Sequence, residues 1–214
     1  MNIIDWFLDR FRLKPVHRGI FDRNIPEGIN YLYCFGGIAF TAILLCLISG
    51  LFLSFYYVPS EKEAYLSIQR LHEEVYFGKL MRGIHKWSAN ILIISVIIHS
   101  IRVFITKSYR PPRELNWIVG VLLLFFIMLE GFTGYLLPWD QKAYWATVVG
   151  TNIVGSIPFF GKSLLLIIRG GYDVSGLTLN RFYSFHVLWF PLILAILLWA
   201  HFHMIKKLGI SKPL

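Results

Sequence analysis

Four stretches of the chain are apolar over the length a bilayer requires. Gly28 to Ser60 carries neither a charge nor a histidine. Arg82 to Arg102 frames a second stretch with His85 and His99 inside it, and Leu115 to Leu137 a third, which carries Glu130 and is stopped by Pro138. Phe182 to Ile205 is the fourth, with His186, His201 and His203. A spanning helix needs about 20 mostly apolar residues. The pattern therefore predicts an all-α membrane protein with four transmembrane helices, at about 29–57, 82–104, 115–137 and 182–205. Tyr31, Tyr33, Tyr56, Tyr57, Trp117 and Trp139 sit at the predicted ends, where aromatic residues collect.

The segments between the spans are patterned too. Met1 to Arg12 alternates Trp6, Phe7, Leu8 and Phe11 with Asp5, Asp9, Arg10 and Arg12, as an amphipathic helix lying on the membrane does. No cleavable signal is read there. The connection from Trp139 to Arg181 is long for a passive loop. Its two apolar stretches, Ala143 to Val149 and Ser163 to Ile168, predict helices lying at the interface. The expected organisation is a segment 1–28 on one side of the membrane, a four-helix domain 29–207 and a tail 208–214.

Composition agrees: 56% of the 214 residues are hydrophobic and 15% charged, where soluble domains are nearer a quarter charged. The net charge of +9 would suggest nucleic acid in a soluble chain. Here the basic residues flank apolar runs, so membrane lipid is the expected partner and nucleic acid is not. Twelve of the 21 Lys and Arg fall in the N-terminal arm, the loop between the second and third spans, and the C-terminus, with five of the 12 acidic residues. That leaves +7 on one side and +2 on the other, which places both termini inside. Cys34 and Cys46 lie about 18 Å apart along one helix and cannot pair.

The histidines carry the chemistry. His85 and His99 are 14 residues apart, which returns to within about 40° of one helix face, roughly 21 Å further along. His186 and His201 are 15 apart, within about 60° of one face. His203 would sit about 100° off it. The second and fourth spans run in the same direction, so His85 lies level with His186 and His99 with His201. Two facing imidazoles at each of two depths suit the axial positions of two haems. Zinc would want about four ligands clustered together. Gly36 and Gly50 in the first span, and Gly120 and Gly134 in the third, repeat the 14-residue spacing at the same levels. A residue with no side chain there lets a flat ring approach the backbone. Arg82 and Lys86 beside His85, and Arg102 and Arg113 at the inner end, are candidates for haem propionates. Glu130, whose burial costs about 3 kcal/mol on insertion scales, is either protonated and hydrogen-bonded in place, or carries protons or contacts quinol.

The stretches Gly83-Ile-His-Lys-Trp-Ser88, Pro112-Arg-Glu-Leu115, Gly131-Phe-Thr-Gly-Tyr-Leu-Leu-Pro-Trp-Asp140 and Arg181-Phe-Tyr-Ser-Phe-His186 closely resemble the cytochrome b6 family. So does the C-terminal run from His201 to Ser211. The likeness covers nearly the whole chain and points to the short, split form of cytochrome b found in b6f complexes and menaquinol–cytochrome c reductases. It implies two b haems, an outer one on His85 and His186 and an inner one on His99 and His201. It also implies quinol oxidation near the outer face, with one electron leaving through a Rieske iron–sulfur protein to a c-type cytochrome. The other crosses the membrane to a quinone, expected to be menaquinone, near the inner face.

The resemblance further implies a third haem held covalently by Cys34, where the residue alone reads as a small hydrophobe. Cys46 reads as core. The family often has Arg at Lys86 and at Lys206, the latter near the third haem and inner quinone; Lys keeps the charge without the planar fork. A separate three-helix subunit carrying a Pro-Glu-Trp-Tyr segment is expected to complete the quinol site, in a dimeric complex of a bacterial plasma membrane rather than a thylakoid. The rival readings are a di-haem anchor of another respiratory dehydrogenase or hydrogenase, and a cofactor-free small transporter.

Overall fold

The computed structural model describes residues 27–211. The amphipathic segment expected at Met1 to Arg12, with His17 and Lys212, lies outside the described residues. A 3-10 turn, Tyr31–Cys34, leads into α1 (Phe35–Ser54). Then follow α2 (Ala64–Glu73), α3 (Gly78–Ile105), α4 (Glu114–Leu136), α5 (Gln141–Gly155), α6 (Gly161–Arg169) and α7 (Gly176–Ser184). A π-helical turn, Phe185–Trp189, joins α7 to α8 (Phe190–Leu208). No strand occurs among the described residues. Four continuous helices, Tyr31–Ser54, Gly78–Ile105, Glu114–Leu136 and Gly176–Leu208, are long and apolar enough to cross a membrane.

The fourth span starts six residues before its apolar run. Ser175 and Thr178 form a reciprocal cap at the start of α7, which satisfies backbone donors that the first helical turn leaves free. Arg181 does not end the helix, because its guanidinium donates back to the Ile167 carbonyl. The second span likewise begins at Gly78, ahead of Arg82.

The spans pack as two pairs, α1 on α3 and α4 on α8, with fewer approaches between the pairs. Ala39, Ala42, Ile43, Leu92, Leu123, Ile127 and Leu194 meet at mid-depth and hold the pairs together. Large apolar side chains elsewhere on the spans, among them Ile48, Ile94, Phe125 and Trp199, point outward and are exposed. That is the surface a lipid-facing bundle presents. Residues 31 and 208 share one end of the bundle, here the terminal end; the opposite end is the distal end.

At the distal end α5 and α6 extend beyond the two apolar stretches that predicted them. The Asp140 side chain accepts the Ala143 N–H at 2.8 Å and starts α5. Arg169, 5% exposed, donates to Thr151 Oγ1, Asn152 Oδ1 and the carbonyls of Val148 and Tyr172 at 2.7–3.0 Å. A buried charge is tolerated only when its donors are satisfied in this way. The Arg169 carbonyl in turn accepts from Thr178 Oγ1 at 2.8 Å, so one residue ties α5, α6 and α7 together. Helix α2 is absent from the sequence reading. It buries Ala64, Ser67 and Leu71 at helical spacing, within a connection whose charges conceal the pattern.

Candidate functional site

Each of the four histidines sits against one of the four glycines. A Cβ on Gly134 would lie 2.6 Å from His186 Cε1, and one on Gly50 would lie 3.1 Å from His85 Cε1. A Cβ on Gly36 would lie 3.0 Å from His99, and one on Gly120 would lie 3.5 Å from His201. The levels match the 14-residue spacing, but the contact differs from the expected approach of a flat cofactor to the backbone. These glycines make room for the edge of an imidazole.

That room lets the imidazole reach a carbonyl one turn back. His85 Nδ1 lies 3.1 Å from the Cys46 carbonyl, four residues before Gly50. His186 Nδ1 lies 3.1 Å from the Glu130 carbonyl, four residues before Gly134. The residue just before each glycine adds a hydroxyl. Ser49 Oγ is 3.0 Å from His85 Nδ1, and Thr133 Oγ1 is 3.5 Å from His186 Nδ1. Each hydroxyl donates to its own helix, Ser49 to the Leu45 carbonyl and Thr133 to the Leu129 carbonyl, so its oxygen accepts from the ring. With the proton on Nδ1, the Nε2 lone pair is free for a metal.

The two rings face across the space between the helix pairs, with centroids 6.1 Å apart. Two in-line metal–imidazole bonds of about 2 Å, with each ring nitrogen about 1.1 Å from its ring centre, need centroids about 6 Å apart. The separation therefore fits a six-coordinate iron with two histidine ligands. No group of three or more His, Cys, Asp and Glu with metal-binding geometry occurs among the described residues, so the donors fit a ring-bound metal better than a protein-only cage.

A π turn aligns His186 with His201. Within it the Phe190 N–H bonds to the Phe185 carbonyl, five residues back. Pro191 follows directly, and in a regular α-helix its ring would strike the Val187 carbonyl. The wider turn relieves that clash and absorbs about one residue. The 15-residue spacing then acts like the 14 of α3, so His186 and His201 take the same phase along their helix as His85 and His99 do on theirs.

The terminal end is furnished differently. His99 and His201 rest on Gly36 and Gly120 at this end, and a guanidinium nitrogen of Arg102 is 3.4 Å from His99 Nδ1. Arg102 also covers the Tyr33 ring at 4.3 Å. Arg102 Nε, Tyr33 OH, Asn116 Oδ1 and His201 Nδ1 are buried without a hydrogen-bond partner among the described residues. Such groups are costly unless something polar meets them, and the carboxylates of a haem would accept from the donors Arg102 Nε, Tyr33 OH and a protonated His201 Nδ1.

The remaining candidates are spread out. Cys34 closes the 3-10 turn at the terminal end and is exposed. Lys86 and Lys206 are exposed. Arg113 donates to the Leu208 carbonyl at 3.0 Å and clamps the start of α4 to the end of α8. Arg82 lies 3.1 Å from His72 Nε2. Partial burial and the adjacent Arg82 and Lys79 hold His72 below its ordinary pKa, so its ring accepts from Arg82. His203 stacks on Trp199 and faces neither pair. The partners that sequence reasoning missed are Ser49, Thr133 and the two carbonyls. A hydroxyl residue directly before each distal glycine was the signal available.

A family model described as cytochrome b/b6/petB matches residues 20–209. The chain is 44% identical to the menaquinol:cytochrome c reductase cytochrome b subunit of Bacillus subtilis (strain 168), over 100% of this chain and 99% of that one. It is 43% identical to cytochrome b6 of Mesostigma viride, with the same coverage. Among solved structures, a chain of a hyperthermophilic respiratory Complex III superposes with a TM-score of 0.91 at 35% identity. That match takes in 99% of this chain and 56% of the solved one. With four bilayer-length helices and this likeness from end to end, the chain is an integral, multi-pass membrane protein that belongs to the cytochrome b/b6 family.

Proposed function

We propose that the chain is the electron-transfer subunit of a quinol:cytochrome c or quinol:plastocyanin oxidoreductase, active only within its complex. Membership of the cytochrome b family implies binding of haem b and of quinone. The observation that carries the reading is the pairing of four imidazoles at two depths, each seated on a glycine of the helix it packs against.

His85 and His186 would hold one haem, and His99 and His201 the other, with Gly36, Gly50, Gly120 and Gly134 as their seats. When bound, each haem supplies a one-electron centre at its depth. The polypeptide fixes the ligands in advance. The Cys46 and Glu130 carbonyls set the tautomer of the distal pair, and the apolar walls of the two helix pairs keep water out. Arg102 brings positive charge to the terminal pair and, with Arg82, Lys86 and Arg113, is placed to meet propionates. Lys206 is placed at the terminal end for a third haem or a quinone. Cys34 is exposed at the same end, as attachment of a haem c requires.

The charge bias makes the terminal end the inner side and the distal end the outer side, in a bacterial plasma membrane. The expected partners are menaquinol, a separate three-helix subunit, a Rieske protein, a c-type cytochrome and a second copy of the complex. The rival anchor and transporter readings draw no support from any particular contact in the structure.

Haem stoichiometry of the purified complex tests this reading. Two haems removable by acid-acetone and one that stays on this chain in a denaturing gel are expected. Cys34→Ala should abolish the retained haem and leave the other two. A reduced-minus-oxidised spectrum without a b-type band would overturn the haem reading. A chain that carries two haems, with none retained under denaturation, would leave Cys34 without a covalent role.

A further inference from the structure

Glu130 stands out among the groups around the histidines. Its Oε2 lies 2.7 Å from His186 Nδ1. The side chains of both residues are largely buried, at 16% and 19% exposure. That oxygen meets no donor in hydrogen-bonding geometry among the described residues, so its meeting with His186 is a close electrostatic approach. The same nitrogen already has the Glu130 backbone carbonyl at 3.1 Å, so one residue presents two oxygens to one ring nitrogen. Among the described residues the other three histidines of the two pairs have no carboxylate at Nδ1. His85 has a carbonyl and a hydroxyl, and His99 has the Arg102 guanidinium. His201 Nδ1 has no partner among the described residues.

We infer that Glu130 is a positioning residue for the outer haem, which acts through His186 to favour the ferric form and lower that haem's reduction potential. The inference rests on the reading of His186 as an axial ligand. A carboxylate at the far nitrogen of a metal-bound imidazole fixes the ring's orientation and makes it a stronger donor. A stronger donor, and a negative oxygen close by, stabilise the higher oxidation state of the metal. The interaction is worth more in the dry interior of the bundle than in water. Arg102 beside His99 acts with the opposite sign at the inner level. The chain's own side chains thus bias the outer centre to give up its electron and the inner centre to receive one. This assigns Glu130 a role other than proton carriage or quinol contact.

The test is a potentiometric titration of the assembled complex at one fixed pH, following the α-bands of both haems. The variants are Glu130→Gln, Glu130→Leu and Glu130→Asp. Glu130→Gln keeps the size and an acceptor but removes the charge. In Gln and Leu variants the outer haem should become easier to reduce, by about tenfold in its reduction equilibrium, or about 59 mV for one electron. The inner haem should not move, and Glu130→Asp should fall between Gln and the parent. An unchanged outer potential in both Gln and Leu variants overturns the inference. Loss of the outer haem in both also overturns it, by making Glu130 a structural requirement rather than a tuning group. A parent complex lacking bis-histidine haem signals would instead defeat the ligand assignment on which the inference stands.

Discussion

The outer and inner histidine pairs occupy the same two helices, yet the protein finishes one and leaves the other open. At the outer level Ser49-Gly50 and Thr133-Gly134 place a hydroxyl beside each seat, and both Nδ1 atoms meet backbone carbonyls. At the inner level the corresponding dipeptides are Phe35-Gly36 and Val119-Gly120. There a guanidinium lies beside His99 Nδ1, and among the described residues His201 Nδ1, Tyr33 OH and Asn116 Oδ1 are buried without a hydrogen-bond partner. The distal imidazoles are thus oriented by polypeptide alone. The inner site is complementary to negative charge and is completed by what binds there. Equal helical spacing therefore does not mean equal sites.

The largest difference should come from closing the seats. At Gly134 a Cβ meets the locked His186 ring at 2.6 Å, whereas at Gly120 it meets His201 at an ordinary 3.5 Å. Overpacking of this kind costs about 1–3 kcal/mol, while Ala in a helix gains up to about 1 kcal/mol over Gly. Gly134→Ala should lower outer-haem content markedly, and Gly120→Ala should leave inner-haem content near that of the parent. Haem-resolved spectra of the two purified variants give the comparison. Equal losses would mean that the glycines serve helix packing instead.

Arg102→Leu should act next most strongly, and on the inner level alone. Removing the cation beside His99 should make the inner haem harder to reduce, opposite in sign to the change expected at the outer haem from Glu130→Gln. Redox titration of both haems decides it, and a shift of the outer haem alone would break the contrast between the levels. Ser49→Ala should do least. It deletes one of two acceptors on His85 Nδ1, worth about 0.5–1.5 kcal/mol. The Cys46 carbonyl remains, so the outer haem should stay bound and lose only some thermal stability, measurable as a lower midpoint of haem release on heating.

Much of this was legible in the sequence because it rests on two simple constraints. Bilayer thickness sets the length of the apolar runs, and helical periodicity sets which histidines share a face. What stayed hidden depends on local geometry. The π turn at Phe185–Trp189 changes the phase between His186 and His201 in a way that residue counting cannot register. Helix α2 is short and charged, and its three buried positions matter only because other elements pack against it, α3 beside it and Leu136, Leu179 and Phe182 around Ala64. Glu130 was visible as a charge out of place, but the direction of its side chain, and so its meeting with His186, is a matter of rotamer. Arg113 shows the converse. A cation near a site end invites a cofactor contact, and the structure gives it a second task as well, joining two helix ends through the Leu208 carbonyl.

The central claim is that the histidines work as two pairs, one from α3 and one from the π turn or α8 at each depth. Its most direct test is a haem-resolved redox titration of His85→Leu, His186→Leu, His99→Leu and His201→Leu in the assembled complex. The first two variants should lack the same haem and keep the other, and the last two should show the reverse. Loss of different haems from His85→Leu and His186→Leu, or retention of both haems with unaltered spectra in any of the four, would contradict the pairing.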